Sequence, residues 1–146
     1  QVNAEKSAWA KPEVEYLGFW ITRQGIRPQR KKVQGILDIK EPKSTKQVRS
    51  FVGMVNYYKS LWPRRSKTLA PLTSLIGKGT PFKWGSEQKA AFQATKTMIA
   101  EDALLSHPNF NKHFDVHTDA SQDQIGGVVS QDRKPIAYFS RKLSSA

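Results

Sequence analysis

The sequence contains no cysteine, which excludes disulfides, thiolate zinc sites and cysteine nucleophiles together. No apolar run approaches the ~18 residues of a membrane span, so no membrane association is expected. Apolar residues make up only 38% of the 146 residues, with a mean hydropathy of −0.60. That composition fits one ordinary domain or two small modules. The chain begins at Gln1 without a signal peptide or initiator Met, so we expect it to be part of something longer.

Acidic residues are also scarce, since 12 Asp and Glu stand against 24 Lys and Arg. Residues 1–67 hold 15 of the basic residues and 5 of the acidic ones. A positive field concentrated on one half of a chain is typical of a protein that binds a polyanion, and nucleic acid is the commonest polyanion. Two alternatives remain, a basic face that aids solubility and one that faces an acidic partner chain.

The N-terminal part predicts a strand, a hairpin and a short helix. Residues 14–22 are aromatic and β-branched, and a hairpin is expected around Arg23-Gln24-Gly25. Pro28 then begins a short helix whose first turn carries Arg30, Lys31 and Lys32. Because cations there oppose the helix dipole, the pattern indicates an external anion at this point.

The second helix has the clearest signals in the chain. Ser44 and Gln47 have the spacing of a capping box, and apolar residues recur at helical spacing until Pro63. The opposite side carries Lys46, Arg49, Gly53, Asn56, Tyr57 and Ser60. A mid-helix glycine costs ~1 kcal/mol relative to Ala. Either another helix or a ligand must therefore approach Gly53 closely.

The C-terminal part predicts two more helices and three strands. A short helix is expected over residues 69–76 and a longer one with Ser86 as its N-cap. Turns then separate three strands, and Asp119 ends the first of them, with Asp115 and His117 on the same side. The histidines His107, His113 and His117 lack zinc-ligand spacing on a helix.

The order of motifs resembles the Pol polyprotein of gypsy-type LTR retrotransposons. Residues 14–21 with Gly25-Ile26-Arg27-Pro28 are similar to the segment after the polymerase palm, and residues 49–58 are similar to the thumb. Phe82-Lys83-Trp84 and residues 118–121 resemble the passage into ribonuclease H, and residues 135–143 complete the match.

The resemblance implies roles for matched residues. Tyr16, Leu17 and Gly18 correspond to the primer grip, which holds the primer strand near its 3′ end. Arg49, Gly53 and Tyr57 share one face of the thumb helix, which in related polymerases follows the minor groove of the template–primer duplex. We expect Lys46 and the cluster of Arg30, Lys31 and Lys32 to contact nucleic acid as well. A glycine at position 53 would let the helix backbone approach a sugar-phosphate edge, and the neighbouring Arg and Tyr suit phosphate pairing and stacking.

The resemblance also bears on chemistry. The family's polymerase site needs a Tyr-x-Asp-Asp turn, and this sequence contains no Asp-Asp pair, so we expect no DNA synthesis by this chain alone. Asp119 matches the first metal ligand of the ribonuclease H site, and the family's other ligands are expected beyond Ala146. Mg²⁺ is the cofactor that the family implies. A single carboxylate would hold it weakly and could not clamp the two ions that hydrolysis needs.

The predicted fold is α/β (α+β), with a palm-edge hairpin over residues 1–27, a helical thumb over 28–78 and an incomplete RNase H-like part over 79–146. That last part is a helix followed by a three-stranded antiparallel meander. We expect the chain to bind a template–primer or RNA–DNA duplex without a complete catalytic site.

Two alternatives stay open, a retroelement-derived structural or interaction protein that docks into a larger complex, and part of a complete enzyme. A protein partner that completes the sheet is also expected. The resemblance further implies an intracellular location, in a cytoplasmic particle or the nucleus.

Overall fold

Two three-stranded antiparallel sheets flank four α-helices in residues 3–101 and 103–143, which the computed structural model describes. The first sheet has the order β1-β2-β3 and the second the order β4-β5-β6. The strands are β1 (Glu13–Tyr16), β2 (Phe19–Thr22), β3 (Gly25–Pro28), β4 (Asp115–Ala120), β5 (Gln124–Gln131) and β6 (Lys134–Lys142). The helices are α1 (Arg30–Leu37), α2 (Thr45–Tyr57), α3 (Arg65–Thr73) and α4 (Ser86–Ala100), with 3₁₀ turns at Ala4–Lys6 and Ser74–Ile76. The predicted mixed α/β class is confirmed.

The first sheet differs from the prediction in one place. The strand expected over residues 14–22 is two strands, because Leu17 and Gly18 form a tight turn with φ values of 46° and 78°. Positive φ at both central residues is the geometry of a type I′ turn, whose twist matches that of the flanking strands. The second hairpin, between Thr22 and Gly25, lies where the sequence predicts it.

The helix α1 begins at Arg30, two residues after the expected Pro28, which is instead the last residue of β3, and no acidic residue lies in its first turn. In α2 the Ser44 hydroxyl accepts the Gln47 backbone N–H at 3.3 Å, which confirms the N-cap. The Gln47 side chain accepts from the Lys43 N–H at 2.6 Å instead of the Ser44 N–H that a capping box requires.

Three further helix boundaries were predicted wrongly. The helix α2 ends at Tyr57, well before Pro63, because Tyr58 leaves the helical region with φ −99° and ψ 26°. The helix α3 begins at Arg65, earlier than the expected Leu69. Gly85 and not Ser86 is the N-cap of α4, and its N–H is bonded to the Gln88 side chain at 3.1 Å.

The core is helical and receives residues from both sheets. Its largest fully buried side chains include Trp62, Phe51 and Leu61, and the Phe51 and Phe92 rings pack 4.7 Å apart. Phe19 of β2 and Tyr138 of β6 pack against this core. Burial of each such side chain is worth about 1.5–3 kcal/mol, so the core ties both sheets to the helices.

The predicted meander is confirmed, and Asp119 pairs with Gly126 across β4 and β5. All six residues of β4 are exposed, and β4 lies at one edge of its sheet. The first sheet reaches this part of the chain through Leu105, whose backbone exchanges hydrogen bonds of 2.7 and 2.9 Å with Ile26. The segment after α4 therefore bridges toward the N-terminal hairpin.

The second sheet is also bonded to α3. The Ser66 N–H donates to the Ser140 hydroxyl at 3.0 Å, and the Ser66 hydroxyl donates to Gln124 Oε1 at 3.0 Å. Arg65 donates to the Asn56 side chain and, at 3.4 Å, to the Ser140 carbonyl. Burial lowers the pKa of Arg65 from its ordinary value, and the guanidinium remains charged because that value is so high.

Candidate nucleic-acid interface

The two sides of α2 differ as the helical spacing predicts. Val48, Phe51, Val52 and Val55 are buried, whereas Lys46, Arg49, Gly53 and Tyr57 are exposed. A Cβ placed on Gly53 would meet no atom of the described residues within 4 Å. In the described part of the chain, therefore, no other helix packs closely against Gly53 to explain this glycine.

The Leu17–Gly18 turn rests against the C-terminal end of α2. The Tyr57 hydroxyl donates to the Leu17 carbonyl at 2.5 Å, and the Tyr58 hydroxyl donates to the Gly18 carbonyl at 3.1 Å. Burial, and to a smaller degree the neighbouring Tyr57, raises the pKa of Tyr58 above 10.0. Its hydroxyl therefore stays protonated near neutral pH and acts as a donor.

A groove of 620 Å³ lies between this turn, α1 and α2. It brings together predicted residues from three separate stretches of sequence. Its lining residues are Leu17, Gly18, Lys32, Ile36, Ser50, Gly53, Met54, Tyr57 and Tyr58. The Leu17–Gly18 turn, the basic start of α1 and the outer side of α2 thus meet in one concave surface.

The other predicted contact residues lie outside this lining. Lys31, Lys46 and Arg49 are exposed, with Lys46 and Arg49 on the outer side of α2. Tyr16 is 61% exposed and lines a different groove together with Phe19 and residues of the second sheet. Arg30 also faces elsewhere, in a shallow depression between α1 and the end of α4.

Four residues of the groove were not predicted from the sequence: Ile36, Ser50, Met54 and Tyr58. Ser50 and Met54 follow Lys46 at intervals of four along α2, so helical spacing carried a usable signal for them. Tyr58 belongs to the buried pattern and is only 3% exposed. Its hydroxyl reaches the groove through a tertiary contact that periodicity does not reveal.

The basic side chains near the groove have no carboxylate partners among the described residues. Within residues 3–101 and 103–143 the ion pairs are Arg27 with Glu13 at 3.8 Å and Lys112 with Asp132 at 2.8 Å. Lys32, Lys46 and Arg49 take part in neither. Exposed cations without internal partners are available to an external polyanion.

Asp119 lies apart from this groove, in a cleft between the second sheet and α3. The cleft has a volume of 620 Å³, and its charged lining residues are Arg64, Lys67, Asp119, Asp123 and Lys142. In the described part of the chain, no group of three or more His, Cys, Asp or Glu could hold a metal ion. The two carboxylates present do not make up the set that two Mg²⁺ ions require, so we assign no metal-dependent step to these residues.

No helix in the described residues is both long and apolar enough to cross a membrane.

The family comparison places one part of the chain directly. Residues 84–146 match the RNase H-like domain found in reverse transcriptase. This match begins just before α4 and covers the three-stranded meander.

The whole chain is similar to retrotransposon polyproteins. It is 35% identical, over 98% of its length, to the retrovirus-related Pol polyprotein from transposon gypsy of Drosophila melanogaster. It is 33% identical, over 99% of its length, to the transposon Tf2-3 polyprotein of Schizosaccharomyces pombe. The chain spans only 15% and 11% of the lengths of these relatives.

Solved structures give the same answer for the fold. The chain matches the foamy viral protease-reverse transcriptase in complex with RNA/DNA hybrid with a TM-score of 0.83 and 28% identity, over 96% of this chain and 20% of that one. A second structure of that protein, in complex with dsDNA, matches equally well and is covered to 30%. These findings confirm the resemblance inferred from the sequence: the chain is homologous to the Pol polyproteins of the gypsy and Tf2 transposons, and residues 84–146 match the RNase H-like domain found in reverse transcriptase.

Proposed function

We propose that this chain binds a template–primer or RNA–DNA duplex in the groove between the Leu17–Gly18 turn and α2. The observation that carries the proposal is the open position of Gly53 within that groove, where a Cβ would touch nothing. A mid-helix glycine has a stability cost, and no described residue packs there to offset it. A duplex backbone that passes close to α2 would explain why position 53 has no side chain.

The charges around the groove fit that ligand. Lys32 lines the groove and Arg49 lies on the same side of α2 as Gly53, so we expect both to pair with phosphates. Phosphate contacts fix the position of a protein on a duplex without reading its sequence. The foamy viral protein to which this chain is similar forms complexes with RNA/DNA hybrid and with dsDNA, which supports a duplex as the ligand.

Binding without cutting is the second part of the proposal. Hydrolysis by two metal ions needs several converging carboxylates, and the Asp119 cleft offers two. A labelled RNA–DNA hybrid should therefore remain intact when incubated with this chain and Mg²⁺. Binding should also persist when EDTA replaces Mg²⁺, because phosphate contacts by Lys and Arg need no metal ion. Cleavage that Asp119→Asn removes would overturn this part.

The decisive experiment compares two glycines of the same kind. Gly53 in α2 and Gly35 in α1 are both helical, and a Cβ on either would meet nothing within 4 Å. Each change to Ala should raise the free energy of unfolding by about 0.5–1 kcal/mol. Only Gly53→Ala should weaken binding of a fluorescent template–primer duplex, measured by anisotropy. Equal affinities of the two variants would sink the proposed contact.

A charge-matched pair tests the electrostatic part. Arg49→Glu should weaken duplex binding and lower the slope of log K against log salt concentration by about one for each phosphate that Arg49 neutralises. Lys78→Glu changes the net charge by the same amount but lies in the exposed turn after the 3₁₀ turn Ser74–Ile76, so it serves as the control. Binding that is independent of salt in the unmodified chain would contradict the proposal.

A second candidate function, docking into a larger protein assembly, is favoured by one observation. The outer face of the second sheet is apolar and open, with Val116 64% and Phe139 56% exposed. Such a face with a free edge strand is suited to pairing with another chain. This role would be favoured if the chain self-associates in sedimentation velocity and if Val116→Lys abolishes that self-association. A monomer at every concentration would count against self-association.

A further inference from the structure

The Leu17–Gly18 turn is held in a conformation that its sequence does not favour. Leu17 has a φ of 46°, in the left-handed region that residues with a Cβ rarely adopt. Its side chain is 66% exposed, so packing of that side chain does little to hold the turn in place. Conformations of this kind persist only where the surroundings fix them.

The end of α2 supplies those surroundings through two adjacent hydroxyls. Tyr57 donates to the Leu17 carbonyl at 2.5 Å and Tyr58 donates to the Gly18 carbonyl at 3.1 Å. The Gly18 carbonyl also accepts the Gln29 N–H at 2.9 Å, which ties the turn to the start of α1. Both carbonyls of the turn are therefore engaged by elements that line the groove.

Gly18 completes the fit. A Cβ at this position would lie 3.1 Å from the Tyr58 hydroxyl oxygen, and the φ of 78° independently disfavours any other residue. Only a glycine lets the Tyr58 hydroxyl come within bonding distance of the turn without displacement.

The two rings are engaged as well as the hydroxyls. The Tyr57 ring is stacked on Phe19 at 5.8 Å with an interplanar angle of 27°. The Tyr58 ring packs edge-on against Phe19 and Trp62, at 5.1 and 6.1 Å. Phe19 directly follows the turn, so ring packing and hydrogen bonding hold the same short segment.

We propose that Tyr57 and Tyr58 are positioning residues, which fix the Leu17–Gly18 turn relative to the outer side of α2. In this role Tyr57 acts through the turn and does not stack on nucleic acid as the resemblance implied. The two tyrosines and their hydrogen bonds to the turn form a clamp, which sets the distance between the turn and the outer side of α2 at Gly53. Its consequence for binding rests on the proposed duplex function. The structural consequence, a turn fixed by two hydroxyls, is independent of any ligand.

Tyr57→Phe separates the two roles, because it keeps the ring and removes the hydroxyl. A stacking residue would keep its duplex affinity in this variant. A positioning residue should lose about fivefold in affinity, as expected for one net hydrogen bond. Tyr58→Phe should behave in the same way although Tyr58 is buried and has no surface for stacking. Full affinity in both variants would overturn the proposal.

Amide hydrogen exchange tests the clamp without nucleic acid. In Tyr57→Phe and Tyr58→Phe, the Phe19 amide beside the turn and the Gln29 amide, which donates to the Gly18 carbonyl at 2.9 Å, should exchange faster, while the buried centre of α2 keeps its protection. Tyr138→Phe is the control, since Tyr138 lies on β6 outside the turn. Unchanged exchange at the turn in both variants would refute the clamp even if duplex binding is confirmed. If the unmodified chain binds no duplex, the proposed function fails while faster exchange at the turn still supports the clamp.

Discussion

At the scale of single residues, two turns of the same geometry give matched tests of strain. Leu17–Gly18 and Asp132–Arg133 each join two antiparallel strands, and all four residues have positive φ. Residues with a Cβ lose about 1–2 kcal/mol in this region, whereas Asn-Gly and Asp-Gly suit a type I′ turn. Each turn therefore contains a residue that is strained in the left-handed region, Leu17 in the first turn and Arg133 in the second.

Leu17→Asn should relieve part of this strain. We expect the free energy of unfolding to rise by about 0.5–1 kcal/mol in urea denaturation, because Asn tolerates the left-handed region and the exposed Leu17 side chain contributes little packing. Duplex affinity should fall at the same time if the apolar side chain of the turn contacts the primer strand. A stability that does not rise would contradict the assignment of strain to Leu17.

Arg133→Gly is the matched control at the other turn. It produces an Asp-Gly pair between β5 and β6, far along the chain from the groove, and should raise stability by a similar amount, about 0.5–1 kcal/mol. Duplex binding should remain unchanged. If only Leu17→Asn weakens duplex binding, the strained Leu17 contributes to that binding. The strain at Arg133 then has no part in it.

At the scale of elements, α2 has the core on one side and the proposed duplex contact on the other. Phe51 is 1% exposed and packs on Phe92, so Phe51→Ala should lower the free energy of unfolding by about 3–5 kcal/mol. Arg49 is exposed on the opposite side, and Arg49→Glu should change stability by no more than about 0.5 kcal/mol. Urea denaturation of both variants checks this division. A large stability loss in Arg49→Glu would show that its side packs on protein.

The elements also show what periodicity can predict. The buried side of α2 follows from helical spacing alone. The buried residues of α4, which are Ala91, Phe92, Thr95 and Ile99, recur at the same spacing, and Met98 beside them is half-buried. The end of α2 does not follow, because Tyr58 and Trp62 continue the apolar pattern after the backbone has left the helix. The apolar pattern follows from the burial of these side chains in the core. The helix itself ends earlier, where the Tyr58 hydroxyl donates to the Gly18 carbonyl.

The candidate site shows the same limit. The turn, the basic start of α1 and the outer side of α2 were each identifiable from residue types and from the resemblance. Their meeting in one groove, and the bonds of Tyr57 and Tyr58 to the turn, depend on contacts between residues 40 positions apart. Local pattern contains no information on such contacts, so a residue predicted to bind ligand is here proposed to hold another part of the site.

At the scale of the whole molecule, the junction between α3 and the second sheet sets how the helical core and the RNase H-like part are joined. Arg64, the N-cap of α3, makes no side-chain capping bond. The Ser140 hydroxyl of β6 accepts the Ser66 N–H at 3.0 Å in its place. A residue distant in sequence thus caps the helix, and the cap exists only when the sheet is docked.

Ser140→Ala should therefore affect both parts at once. It removes the acceptor of an N–H at a junction where Ser140 is 9% exposed, so the free energy of unfolding should fall by about 1–2 kcal/mol. The Ser66 amide should also exchange faster in hydrogen-exchange measurements. Ser74→Ala is the control, because the exposed Ser74 hydroxyl donates only to Pro71, within its own turn of chain. If Ser140→Ala and Ser74→Ala have the same stability, the sheet does not depend on this cap to hold its position on α3, and Arg65 and Gln124 must hold the junction instead.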